Sequence, residues 1–140
     1  MVIPPRHWIR MMDGRGPAVV ARLRGDIAAH LPTTSLDVRI SKEYVDKIFT
    51  KHRLTYEDLD VVQFALDNGW CIKSTEGKLD FLCVMESERH RRFVVGIKTA
   101  NGGLETWFQT LHLTDEEQIK RRLKQARKHG TLIRTHTWEQ

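Results

Sequence analysis

Seven histidines occur in the chain, and two of them stand on patterned faces. His112 closes the run LETWFQTLH (104–112), whose alternation predicts a β-strand. Strict alternation puts Leu104, Thr106, Phe108, Thr110 and His112 on one face, with Glu105, Trp107, Gln109 and Leu111 on the other. The Thr110 hydroxyl and the His112 imidazole then lie side by side. His52 follows Val45, Ile48 and Phe49 at helical spacing and ends an apolar stripe. Two imidazoles, a hydroxyl and a cation are the groups that metal-independent RNA cleavage requires. In that reaction the 2′-hydroxyl attacks the adjacent phosphorus. One group takes its proton, another protonates the leaving 5′-oxygen, and a cation stabilises the crowded phosphorane. Histidine suits both proton transfers because its ordinary pKa of ~6.5 lies near neutrality. Arg92 and Lys98 share one face of the preceding strand and could supply the cation.

Each of these residues also has an ordinary use. A histidine on an apolar stripe serves as a hydrogen-bonded core residue, Arg92 and Lys98 as a solvated outer face, and Thr110 as a good strand former. His7, His30, His90, His129 and His136 fall in predicted ends, turns or tails and read as surface residues. Zinc needs three or four ligands at recognisable spacing. No HxH or HxxxH pattern includes His112, and Cys71 and Cys83 have no CxxC spacing. Neither a metal nor any other cofactor is expected, and a disulfide framework is not expected either.

The elements that would position these residues begin at Leu36. LDVRIS alternates as a short strand. Ser41 caps a helix with Glu43 in its first turn, and Thr55 caps a second, with Asp58 in an approximate capping box, Leu59, Val62 and Leu66 as its stripe and Gly69 as its stop. The period then changes from 3.6 to 2. Strands over 70–74, 79–86, 92–99 and 104–112 are joined by short turns, among them Asn101–Gly102–Gly103, which tolerates positive φ. Thr114 and Glu117 form a capping box for a last helix with a narrow Ile119–Leu123–Ala126 seam. Thr131–Thr137 reads as an extended edge. Residues 18–31 read as a short helix interrupted at Gly25 and ended by Pro32.

At 140 residues the chain has the length of one domain with a real core. No apolar run approaches the ~20 residues of a membrane span, and the first residues lack a secretory pattern, so a cytoplasmic setting is expected. The net charge is +5, and residues 1–40 and 114–140 each carry three more basic than acidic groups. Lys120, Arg121, Lys124, Arg127 and Lys128 crowd the last helix. They suit a phosphate backbone or an acidic partner protein, although Glu116–Lys120 and Glu117–Arg121 pairs would tie up part of that charge.

Residues 38–70, the strands after them, the pair Lys51–His52 and the motif Thr110–Leu111–His112 resemble the phage-associated branch of the barnase–EndoU–colicin–RelE superfamily. The resemblance covers roughly residues 36–135. It implies an α+β fold: N-terminal helices packed on a four-stranded antiparallel sheet, with the helices on one face and a basic C-terminal helix. Residues 36–140 would form this nuclease-like domain, and residues 1–35 an arm or extra layer. By similarity, His52 and His112 would be the acid–base pair, Thr110 a phosphate positioner, and Lys98 or Arg92 the phosphorane stabiliser. Lys51 and the helix cations would contact RNA. A free-standing chain of this kind would act as a toxin-like endoribonuclease, matched by a cognate inhibitor or antitoxin. Two other classes stay open: a non-catalytic RNA-binding module, and a phage structural or partner-binding protein.

Overall fold

The computed structural model describes residues 18–50, 61–85 and 91–139. Lys51, His52, Thr55, Asp58 and Leu59 lie outside the described residues, as do the first seventeen residues with His7 and Trp8.

One mixed sheet of seven strands organises the described residues, in the order β1-β2-β6-β5-β4-β3-β7. Its strands are β1 (Ala18–Arg22), β2 (Asp37–Ile40), β3 (Trp70–Thr75), β4 (Lys78–Val84), β5 (Arg92–Ala100), β6 (Glu105–Thr114) and β7 (Leu132–Arg134). The helices are α1 (Gly25–Ala28), α2 (Lys42–Thr50), α3 (Val61–Asn68) and α4 (Glu116–His129). The expected antiparallel meander is present as β3 to β6, but a four-stranded antiparallel sheet is not the fold. β1 and β2 extend the meander on one side, and β2 pairs with β6 in parallel through Val38 and Arg39. β7 extends it on the other side by pairing with β3.

Residues 18–22 also depart from the expected helix. Ala18, Val20 and Ala21 are buried, and the segment pairs antiparallel with β2. Four β-branched or small apolar residues in a row, Ala18 to Ala21, fit a pleated surface as well as a helical one, and the β2 partner decides between them. Gln63 of α3 covers this edge strand: its side chain accepts from the Arg22 N–H at 2.7 Å and donates to the Arg22 carbonyl at 2.9 Å.

Helices cover both faces of the sheet, not one. On the first face, Leu79, Phe81, Cys83, Phe93, Val95, Ile97, Phe108 and Leu111 pack with α1, Val45 of α2 and Val61, Val62, Ala65 and Leu66 of α3. On the second face, Trp70, Ile72, Leu82, Val84 and Val94 pack under Ile119, Leu123 and Ala126 of α4. Cover on both sides explains why β4 is buried from Leu79 through Val84 instead of alternating. The expected seam of α4 is therefore its buried stripe. Its N-cap is Asp115, which accepts from the Gln118 N–H at 2.8 Å, so the cap falls one residue later than Thr114. Gly130 ends α4 in the left-handed region. No helix among the described residues is long and apolar enough to cross a membrane.

Candidate active site

The strand that carries Thr110 and His112 does not alternate strictly. In the β5–β6 register Ile97 faces Phe108 and Gly96 faces Thr110, which leaves Gln109 as one extra residue. This β-bulge reverses the parity of β6. Before it, Thr106 and Phe108 face the first side of the sheet, where both are fully buried. After it, Leu111 takes that side. Trp107, Thr110 and His112 therefore share the second side, and the expected grouping of Thr106 and Phe108 with Thr110 and His112 is split. Thr106 is a structural residue: it donates to the Ser35 carbonyl at 2.8 Å and lies 2.7 Å from the Thr33 hydroxyl. The bulge lets two apolar residues three positions apart, Phe108 and Leu111, enter the same core.

Thr110 and His112 open into a polar cleft of about 310 Å³. Its floor is one row of cross-strand neighbours, Asp80–Gly96–Thr110, with Val94 and His112 in the next row. Lys78 and Arg122 also line it, as do Tyr44 and Lys47 of α2 and the bulged Gln109. α2 reaches the cleft because β2 pairs with β6 only at Val38 and Arg39 and then ends, so the helix that follows it runs beside β6. The Tyr44 ring meets Phe108 edge-on at 6.4 Å, and the Lys47 ammonium lies 5.7 Å from the Tyr44 centroid.

Asp80 sets the electrostatics of the floor. It is only 5% exposed, yet among the described residues it is held by one ion pair, Arg122 Nη2 to its Oδ2 at 2.6 Å. Its Oδ1 has no hydrogen-bond partner among the described residues, and neither has Gln109 Oε1. Two buried acceptor oxygens without donors in one cleft are unusual, because burial removes the water that would satisfy them. Gly96 makes the arrangement possible. A Cβ there would stand 2.8 Å from Thr110 Cγ2 and 3.0 Å from Asp80 Oδ1. Among the described residues the cleft thus presents three cations (Lys47, Lys78, Arg122), the Asp80 carboxylate, the Thr110 and Tyr44 hydroxyls, the His112 imidazole and two open acceptors. It can bind an anion that also carries a hydrogen-bond donor.

Sequence reading found two of these residues, Thr110 and His112, and missed the others. Asp80 carried a signal, as the lone carboxylate in the otherwise apolar run Leu79–Val84. Lys78 was hidden in a turn, and Lys47 and Arg122 among the charges of amphipathic helices. Arg92 and Lys98 stand on either side of the cleft, not in its lining. Lys98 lies one row beyond the floor, between Lys78 and Trp107. Arg92 lies toward the other end and reaches Glu116 at 3.9 Å. On α4, Lys120 pairs with Glu116 at 3.2 Å and Arg121 with Gln118. Lys124, Arg127 and Lys128 are exposed and form no ion pair with a described residue. Lys51 and His52 cannot be set against the cleft, since they lie outside the described residues. His136 is not a surface residue: it is 2% exposed, against Trp70, and accepts from the Val84 N–H at 3.3 Å. No group of three metal-ligating side chains occurs among the described residues.

Among known proteins, no family model, no curated protein and no solved structure matches the chain. The family resemblance therefore rests on its sequence motifs.

Proposed function

We propose that the cleft binds a phosphodiester of RNA and that the chain is a metal-independent endoribonuclease. The observation that carries this reading is the convergence of Thr110, His112, Lys47, Lys78 and Arg122 on one cleft. The Thr110 hydroxyl donates to a non-bridging phosphate oxygen, and the three cations stabilise the charge of the phosphorane. The ribose 2′-oxygen attacks phosphorus as its proton passes to a base, and the bond to the 5′-oxygen breaks. His112 protonates that oxygen, leaving a 2′,3′-cyclic phosphate and a 5′-hydroxyl. The motif reading gives the base role to His52. A ribose hydroxyl or base N–H supplies the donor that Asp80 Oδ1 and Gln109 Oε1 lack among the described residues. A reducing, cytoplasmic setting suits the two free, buried thiols. A cognate inhibitor would present acidic groups to the same cations.

The test is cleavage of a mixed, end-labelled RNA in EDTA, with His112→Ala and His52→Ala beside the wild type. Cyclic phosphate ends from the wild type and none from His112→Ala support the reading. A wild type that leaves RNA intact but retards it in a salt-dependent way overturns the chemistry and makes the cleft a binding site.

A further inference from the structure

A second cleft, of about 270 Å³, opens between α4 and the C-terminal segment on the same sheet face. Trp70 and Trp138 give it aromatic walls, and Arg92, Lys120, Arg127 and Glu116 line it as well. We propose that it is a nucleobase subsite, in which one base of a single-stranded RNA stacks on Trp138 while the adjoining phosphate meets Arg127. The proposal rests on reading the first cleft as an RNA phosphate site and adds where the flanking strand goes.

Four observations carry it. Trp138 is 49% exposed, whereas Trp70 beside it is 4% exposed. The exposed indole is held in place: it meets Trp70 edge-on at 6.0 Å and the His136 ring at 5.2 Å. An aromatic surface ordered in advance loses little entropy when a base stacks on it. The charge fits a nucleotide. Arg92, Lys120 and Arg127 line the cleft with Trp138, against one carboxylate, Glu116, among its described lining residues, and Arg127 has no ion pair with a described residue. The location fits one strand of RNA. Val94 lines the first cleft and Arg92 the second. They stand two residues apart on one face of β5, roughly 7 Å, so a chain with a phosphate in the first cleft reaches the second within a few nucleotides. The combination of an aromatic platform and a cationic groove is sequence-tolerant, because every base has a π-face.

The experiment is fluorescence anisotropy with a labelled, non-cleavable 2′-O-methyl hexauridylate and with an abasic chain of the same length. Trp138→Ala should weaken hexauridylate about tenfold, and Trp138→Phe should keep most of the affinity, which also controls for the packing against Trp70. Trp138→Ala should bind the abasic chain as the wild type does. Arg127→Ala should weaken both probes and reduce the salt dependence by about one phosphate contact. Equal affinity of wild type and Trp138→Ala for hexauridylate overturns the subsite, and so does an equal loss on both probes. If these variants bind alike and RNA is still cleaved, the subsite alone falls. If the wild type binds neither probe, both readings fall.

Discussion

The two faces of the sheet are made from the same strands and end in opposite states. The first face is closed. Phe81, Cys83, Phe93, Val95, Ile97, Phe108 and Leu111 are buried on it, and α1, α2 and α3 contribute to that core. The second face is half closed. Among the described residues α4 lies over Trp70, Leu82, Val84 and Val94, and the Asp80–Gly96–Thr110 row and the Trp138 cleft lie beyond its cover. One helix can cover only part of a wide sheet, and the parts that no described helix covers hold the polar and aromatic groups that no core needs. The difference separates positions held by packing from positions held for a ligand, and substitutions on the two faces should separate in the same way.

The largest effect belongs to the closed face. Phe81→Ala should cost about 3–5 kcal/mol of unfolding free energy, measured by denaturant titration, because a fully buried ring there leaves a cavity. RNA binding by the fraction that stays folded should be unchanged. The thiols of that face give a second check. Burial pushes Cys71 and Cys83 up to about 12. Neither should react with iodoacetamide at pH 8 until the protein unfolds. Because both values are raised, the stability tied to the neutral thiols is complete below about pH 9 and declines as pH rises from there toward 12. Rapid labelling of the folded protein at pH 8 would break the description of this face as closed.

On the second face the next largest effect is Arg122→Ala. It removes the Asp80–Arg122 ion pair of a carboxylate that is 5% exposed and should cost about 2 kcal/mol, less than a fully buried pair because Arg122 itself is partly exposed. Joining it to Asp80→Asn should recover most of the loss, since no uncompensated charge then stays buried. If the single and double variants are equally stable, Asp80 is not held as the geometry says. Gly96→Ala should follow, at about 1–3 kcal/mol, because its methyl meets Thr110 and Asp80 from below. It should also weaken RNA binding by displacing the floor.

How much of this could be read from sequence follows from the range of each interaction. The meander was legible because period-2 runs and the Asn101–Gly103 turn are local signals. The α4 seam and its Gly130 stop were legible for the same reason. The β2–β6 pairing was not, because a parallel contact between segments far apart leaves no local mark. Nor was the strand at Ala18–Arg22, whose residues accept either structure until β2 lies beside them. The bulge at Gln109 had a trace, in that Phe108 and Leu111 cannot both be core in a strictly alternating strand. Ignoring that trace put Trp107 on the face opposite Thr110 and grouped Thr106 and Phe108 with the site. Thr110 and His112 came out together because they lie on the same side of the bulge. Lys47, Lys78, Asp80 and Arg122 come from three separate elements, and only the folded sheet brings them to one cleft.

The smallest effect on stability should come from His112, and it bears hardest on the comparison. His112 is half-buried at the open cleft, beside Val94 and away from the core of the first face. His112→Asn keeps a polar side chain of similar reach and should change unfolding free energy by no more than about 1 kcal/mol. Cleavage in EDTA should fall by about 10²–10⁴-fold, the usual worth of a positioned acid or base, with RNA affinity nearly unchanged. The two readouts must come apart for the second face to be a site. A loss of stability comparable to that of Phe81→Ala would make His112 one more packing residue. A stable variant that cleaves at the wild-type rate would leave the cleft its cations and its open acceptors, and would move the proton transfer elsewhere.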